Sequence, residues 1–307
     1  MRVFVTGGSG KIGLPLVKQL VGDGERVLAL ARSDASARVL ADAGAEPVRG
    51  SLEDVDSLRA GCAEADAVVH LAGGVRGPGR VTPDVLNRQG TENLLAAGAD
   101  HLVYVSSCAV YGDRSNLWVE EDFEPSPNTR YGRSKADAER LVTESGRHVA
   151  IVRLAAVYGP DFPILMTDQM RQGKAWLPGE GRNYVPTVHI DDAVGGLRHI
   201  LGRTGIWHVA APDQPTTGVF YKAIHDALGE GRPVRFWSTW LPSYLQLAAA
   251  RNNERLQSRI GQRPRFTPDA LKLFTASVRL RVQRLEDSGF RWRWPEHVEG
   301  IRAAVKG

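Results

Sequence analysis

The sequence predicts an α/β fold, a doubly wound and mostly parallel sheet with a smaller C-terminal lobe. Three observations predict it. A glycine cluster, Thr6-Gly7-Gly8-Ser9-Gly10-Lys11-Ile12-Gly13, sits between an apolar run and a helical pattern at the start of the chain. Strand-like and helix-like stretches then alternate to about residue 155. Beyond that point Gly and Pro interrupt the pattern, and aromatic and arginine residues rise toward the end. The first strand is Arg2–Thr6, and Ile12, Leu16, Val17 and Leu20 carry the apolar face of a helix near 11–22. Strands follow at Arg26–Ala31, Glu46–Arg49, Ala67–Leu71, His101–Ser106 and Val149–Leu154, with helices near 34–43, 53–63, 83–97 and 131–145 between them. Unbroken apolar character in Ala67-Val68-Val69 and Leu102-Val103-Tyr104-Val105 suits parallel strands covered on both faces. A later helix runs through Leu201 and a short strand spans Gly205–Ala210. The core is therefore placed at 1–158 with a return segment at 184–211, and the lobe at 159–183 and 212–307.

A glycine turn between a strand and a helix binds a dinucleotide for definite reasons. Gly7 permits the tight turn, Gly10 lets the backbone approach a pyrophosphate, and Gly13 lets the helix pack close to the strand. The helix N-terminus offers N–H groups to the anion. The end of the second strand decides between two nicotinamide cofactors. An acidic residue there binds ribose hydroxyls and repels a 2′-phosphate, but this chain has Ala31 followed by Arg32. A guanidinium pairs with phosphate through two hydrogen bonds, and Lys11 adds a second positive charge, so NADP(H) is expected over NAD(H).

Composition bounds the rest. The 307 residues are 42% hydrophobic and 24% charged, as in an ordinary globule with a full core. No apolar run approaches the ~18 residues that span a bilayer. The first strand leaves no room for a signal peptide, and Cys62 and Cys108 are too few for a disulfide framework, which together suggest a reducing cytoplasm. The net charge of +4 is uneven, because the stretch from Arg251 onward is strongly basic. Arg251, Arg255 and Arg259 recur every four residues, which reads as a solvated helix face. No nucleic-acid or membrane motif accompanies them.

Catalytic chemistry is signalled by Tyr131-Gly132-Arg133-Ser134-Lys135. At a helix start, residues four apart share a face, so Tyr131 and Lys135 stand one turn from each other. A neighbouring ammonium and an oxidised nicotinamide ring would favour the tyrosine phenolate. Ser106-Ser107 ends a strand at the sheet edge where ligands of open α/β folds sit. His70 and His189 have no companions at metal-ligand spacing, so no metal site is expected. Cys108 reads as packing, and Asp191 and Asp192 as residues of a helix N-terminus.

These motifs, with His70-Leu71-Ala72, Ser106-Ser107-Cys108-Ala109-Val110-Tyr111-Gly112, Arg153-Leu154-Ala155-Ala156-Val157-Tyr158-Gly159-Pro160 and Val188-His189-Ile190-Asp191-Asp192-Ala193, resemble the extended short-chain dehydrogenase/reductase family of epimerases, dehydratases and reductases. The match covers about residues 1–211. The resemblance implies a Rossmann domain and a Ser107-Tyr131-Lys135 site. Ser107 would hydrogen-bond the reacting oxygen, Tyr131 would act as general acid or base, and Lys135 would tune it and bind ribose. It also places Gly7, Ser9, Gly10, Lys11, Ile12, Gly13, Arg32, Ser51, Leu52, Leu71, Ala72, Gly73, Asn87, Leu154 and Val157 beside the cofactor. For Asn87 a structural use weighs equally. A homodimer through helices such as 83–97 and 131–145 is common in the family.

Three departures narrow the activity. Ser107 is followed by Cys108 and Ala109 where 4,6-dehydratases carry an acidic pair, which argues against dehydration. Ser51 replaces the usual aspartate after the third strand, and Ala72-Gly73-Gly74 leaves extra room near the cofactor. The expected function is interconversion of a ketone and an alcohol on a medium-sized organic molecule. The alternative is a sugar-nucleotide 4-epimerase with tightly bound NAD, in which Arg171, Lys174, Arg182 and the arginine stripe would serve a diphosphate.

Overall fold

The strands β1 (Arg2–Thr6), β2 (Arg26–Ala31), β3 (Glu46–Arg49), β4 (Ala67–His70) and β5 (His101–Ser107) form most of a parallel sheet. After the two-residue β6 (Trp118–Val119), the sheet is completed by β7 (His148–Leu154) and, later in the chain, β11 (Gly205–Val209). Its order is β11-β7-β5-β4-β1-β2-β3. The computed structural model describes residues 1–74, 85–115, 117–160, 162–237, 243–259 and 267–306. The strand order reverses beside β1, so a crevice opens at the carboxyl ends of β1 and β4. Register places Thr6 opposite His70 and Ser107 opposite Leu154. The glycine turn, the segment after His70 and the serine pair therefore share one edge. The strands match the expected ones to within a residue: β4 stops at His70, β5 runs on to Ser107, β7 begins at His148 and β11 ends at Val209.

Helices α1 (Gly13–Gly22), α2 (Asp34–Asp42), α3 (Val55–Ala63), α4 (Gly90–Ala96) and α5 (Arg130–Glu144) make the crossovers. Their starts follow local chemistry. Ser33 and Ser36 form a reciprocal capping box for α2, Asp54 caps α3 and Thr129 caps α5. No side chain caps α1, whose first turn follows the glycine cluster. Gly7 takes φ +76°, and a Cβ there would lie 2.7 Å from the Ala72 amide nitrogen. A Cβ on Gly13 would run into the Gly7 carbonyl oxygen, so glycine alone lets α1 begin against β1. Residues 83 and 84 of the helix expected near 83–97 lie outside the described residues; a wide helical turn, Val85–Gln89, precedes α4.

The later elements are β8 (Ala156–Tyr158), α6 (Thr167–Arg171), β9 (Trp176–Pro178), β10 (Thr187–His189), α7 (Ile190–Ile200), α8 (Thr217–Leu228), β12 (Arg235–Trp237), α9 (Ser243–Arg259), α10 (Pro268–Thr275), β13 (Arg279–Leu280), α11 (Gln283–Asp287) and α12 (His297–Lys306). Tyr158, Leu165, Met170, Leu177, Phe220, Tyr221, Ile224 and Ile301 form a core of their own. The C-terminal hundred residues are not all one lobe, however. Val278, Leu280, Val282, Leu285 and Phe290 pack into the main core with Val105, Val152 and Leu197, and β13 pairs with β6. The reason is polar as well as apolar. Buried Asp192 accepts hydrogen bonds from the amides of Arg293 (2.7 Å) and Trp294 (2.9 Å), and Asp191 takes the Trp294 indole N–H at 3.1 Å. His189 caps α7, which leaves this acidic pair to tether the tail. Arg251 and Arg255 are exposed on α9, and the side chain of Arg259 lies outside the described residues. No described helix is long and apolar enough to cross a membrane.

Two charges are buried between α5 and the sheet. Arg153 on β7 meets Glu139 on α5 at 2.8 Å, with both side chains at most 5% exposed. Removing one partner leaves the other charged and unpaired in a dry layer, at a cost of about 3–5 kcal/mol. Arg153→Met is therefore expected to lower the unfolding free energy by about that amount in urea titrations. The double variant with Glu139→Leu should recover much of it; equal stability of Arg153→Met and the unaltered protein would contradict this account.

Candidate active site

Helix α5 starts where Thr129 Oγ1 accepts the Gly132 amide at 3.0 Å, and this cap points Tyr131 and Lys135 at the end of β5. Ser107 ends that strand and accepts the Ala109 amide at 3.2 Å, starting a short turn over Cys108–Tyr111. Ser107, Tyr131 and Lys135 line one cavity. The three expected residues are thus brought together. Lys135 is buried; its Nζ donates to the Val105 carbonyl at 2.9 Å and lies 5.0 Å from the centre of the Tyr104 ring.

The electrostatics differ from expectation. Burial pushes the Tyr131 phenol up to about 12, and the Ser107 side chain offsets this only in part. Lys135 is not what lowers it, because its ammonium is turned to Val105 and Tyr104. Burial brings the Lys135 ammonium down to about 8, with the Glu139 carboxylate opposing. Cys108 is pushed up to about 11 by burial, which fits packing and not a thiolate.

Two hydrogen-bonded networks behind these residues were not foreseen. In the first, Arg153 Nη1 donates to the Tyr111 hydroxyl (2.6 Å) and to the carbonyls of Glu121 (3.0 Å) and Phe123 (3.2 Å). Ser106 donates to Glu139, and Tyr111 donates to His208 Nε2 at 2.6 Å, whose Nδ1–H reaches the Arg281 carbonyl at 2.7 Å. Burial holds His208 neutral, down at about 3. The i+4 spacing from Lys135 to Glu139 was a sequence signal for this partner; the distant His208 left none.

The second network runs from the glycine edge. Thr91 Oγ1 donates to the Asn87 carbonyl at 2.6 Å, so His70 Nε2–H must donate to Thr91, at 3.2 Å. His70 Nδ1 then accepts from Thr6 at 2.6 Å, and Thr6 accepts from the Ala72 amide at 3.4 Å. His70 is accordingly neutral, with its protonation pushed down to about 3 by burial. Asn87 needs correction as a cofactor contact. Its amide donates to Ser134 (2.9 Å) and the Gly74 carbonyl (3.3 Å), and its oxygen accepts the Gly74 amide at 3.1 Å. Saturated and buried, it pins the Gly73-Gly74 segment to α5 from behind.

Two cavities meet in front of this wall. A groove of about 670 Å³ is lined by Gly7, Ser9, Gly10, Lys11, Ile12, Gly13, Arg32, Ser51, Leu52, Leu71, Ala72 and Gly73, together with Ser33 and Ser36, which sequence reasoning missed. A second cavity of about 440 Å³ is lined by Ser107, Tyr131, Lys135, Leu154 and Val157, and then by apolar side chains such as Ile164, Val185, Phe220 and Val278. Ile12, Leu71, Gly73 and Phe162 line both. Among the described residues Lys135 is the one charged side chain of the second cavity, and Arg171, Lys174 and Arg182 do not line it. Arg171 is paired with Glu230 at 2.7 Å instead. Away from both, Asp100, His101 and His148 bring potential metal-ligating atoms within 4.8 Å at the amino ends of β5 and β7.

The model of the NAD dependent epimerase/dehydratase family matches residues 3–209. The chain belongs to this family. Membership places it in the extended short-chain dehydrogenase/reductase class of NAD(P)-dependent enzymes. Among curated relatives of this family member, the 2-alkyl-3-oxoalkanoate reductase of Stenotrophomonas maltophilia is 32% identical over 256 residues, 76% of this chain and 73% of that protein. The 4-hydroxy-2-methyl-3-oxo-4-farnesyl-3,4-dihydroquinoline-1-oxide ketoreductase of Stigmatella aurantiaca is 34% identical over 214 residues. That alignment covers 64% of this chain and 63% of the relative's length. The NAD complex of Thermus thermophilus UDP-glucose 4-epimerase superposes with a TM-score of 0.77 at 24% identity, over 100% of this chain and 98% of that one, a likeness of fold.

The Lys135 environment predicts a pH signature. A buried lysine whose folded pKa lies near 8, below its unfolded ~10.4, destabilises the fold while protonated, and that penalty fades as pH rises from 8 toward 10. The unfolding free energy of the unaltered protein relative to Lys135→Met should rise by roughly 1–2 kcal/mol between pH 7 and 9.5. A difference that stays constant, measured in paired urea titrations, would show that Lys135 is not strained by burial.

Proposed function

We propose that this family member is an NADP(H)-dependent oxidoreductase that interconverts a ketone and an alcohol on a medium-sized organic substrate. One observation carries the reading. Ser107, Tyr131 and Lys135 line an apolar cavity that shares Ile12, Leu71, Gly73 and Phe162 with a glycine-lined groove. The groove suits a dinucleotide: α1 begins without a side-chain cap, where its N-terminus can take an anion, and Gly7 and Gly13 have no room for a Cβ. A bound nicotinamide would supply or accept the hydride and, oxidised, would add positive charge to the site.

The protein's own residues do the rest. Ser107 Oγ donates a hydrogen bond to the substrate oxygen, and the Tyr131 hydroxyl gives that oxygen a proton in reduction and takes it back in oxidation. Lys135 holds ribose hydroxyls from the floor of the site. Arg32, which lines the groove at the start of α2, receives a 2′-phosphate. The apolar wall favours this reading over the sugar-nucleotide 4-epimerase, since Arg171, Lys174, Arg182, Arg251 and Arg255 do not line the cavity. The two reductases among the relatives lend it support.

Tyr131→Phe should fold and bind NADPH normally while its turnover on a ketone panel falls by roughly 10²–10⁴-fold. Retention of most activity in NADPH-oxidation assays would remove Tyr131 from the proton-transfer role. Arg32→Ala should weaken NADPH by about 1.5–3 kcal/mol, the scale of charge-assisted hydrogen bonds, and leave NADH nearly unchanged. Fluorescence titration checks this, and equal affinity of the unaltered protein for both cofactors would defeat the NADP(H) assignment.

A further inference from the structure

The substrate cavity has an apolar exit. Leu273 and Phe274 line it, yet they are 39% and 38% exposed, and they are its two exposed side chains among the described lining residues. Scattered surface leucines are ordinary. Two adjacent large apolar side chains that continue a cavity wall out to solvent are a different case, because solvent and cavity share one unbroken apolar path. The wall is also built to hold its position. Arg130, next to Tyr131, bridges Glu254 of α9 at 3.1 Å and Asp269 of α10 at 3.2 Å. Lys272 Nζ donates to the Asn128 carbonyl at 3.1 Å, and Asn183 Nδ2 donates to the Phe274 and Ala276 carbonyls at 2.9 and 3.1 Å. Leu271 is buried beneath. Polar tethers on both sides of the pair thus fix α10 across the cavity while its apolar side chains stay partly uncovered.

We propose that the substrate is an amphiphile whose keto group sits at Ser107 and Tyr131 and whose linear apolar tail leaves along Leu273 and Phe274. This rests on the oxidoreductase reading of the same site, which identifies the end that holds the keto group. Phe162, Ile164 and Phe220 also line the cavity. A tail covers the exposed pair and is itself removed from water, so each added methylene strengthens binding until the tail passes the rim.

The test uses the full chain with NADPH and a homologous series of secondary alcohols, from 2-butanol to 2-undecanol, which bind beside the reduced cofactor without turnover. Calorimetric Kd values should fall roughly two- to fourfold per methylene and then level off, the upper figure being the transfer value for a CH₂ group. Leu273→Ser and Phe274→Ser should each flatten the upper part of the series; two separate variants guard against one that folds poorly. A Kd independent of length, or a series left unaltered by both substitutions, overturns the tail site. The matched methyl ketones are assayed in parallel. Length-dependent alcohol binding without reduction of any ketone supports the tail site and overturns the oxidoreductase reading instead.

Discussion

The ion pair between Glu139 and Arg153 governs the geometry of the site. Tyr131, Lys135 and Glu139 follow one another at intervals of four on α5, so anchoring Glu139 fixes the rotation of the face that carries the other two. The same carboxylate takes the Ser106 hydroxyl, one residue before Ser107. Arg153 in turn ties the loop at Glu121–Phe123 and the Tyr111 ring to the sheet. One buried charge pair therefore sets the relative positions of a helix, a strand end and a loop. Such pairs contribute little net stability over a well-packed apolar layer, and their effect here is to select one arrangement.

Burial does electrostatic work throughout this wall. It raises Tyr131 and lowers Lys135, so the protein alone keeps the phenol protonated and the ammonium poised near neutral pH. The neutral tautomers of His70 and His208 follow from the same desolvation, and each ring passes a hydrogen bond in one direction. Those directed chains stiffen the segment after β4 and the end of β5, the two edges between which the cavities meet. Preorganised donors lose little order when a ligand arrives.

The C-terminal region is bound to the sheet domain by more than contact. Asp191 and Asp192 hold residues 293 and 294, and Asp213 holds His297 at 2.5 Å. Helix α10, carrying Leu273 and Phe274, is tethered to residues flanking Tyr131. The walls of the apolar cavity and the residues around Tyr131 are consequently held in register by polar bonds between segments remote in sequence.

Local chemistry made most of the fold and the central site legible in the sequence. Glycine at 7 and 13 reflects backbone approaches that any side chain would block, and that requirement survives whatever surrounds it. Apolar runs marked the strands because a covered parallel strand has no polar face, and the Tyr131-Lys135 interval marked one helical face. Pairings across long sequence distances carry no such mark. The tertiary structure decided that Asn87 supports Gly74 from behind, that Lys135 turns toward Val105, and that Arg153, Glu139, Tyr111 and His208 form one network. It also decided that residues 278–290 join the main core, and that α10 forms the cavity rim. A hydrogen-bonding side chain announces its capacity in the sequence, but its partner is chosen only when the chain brings the two together.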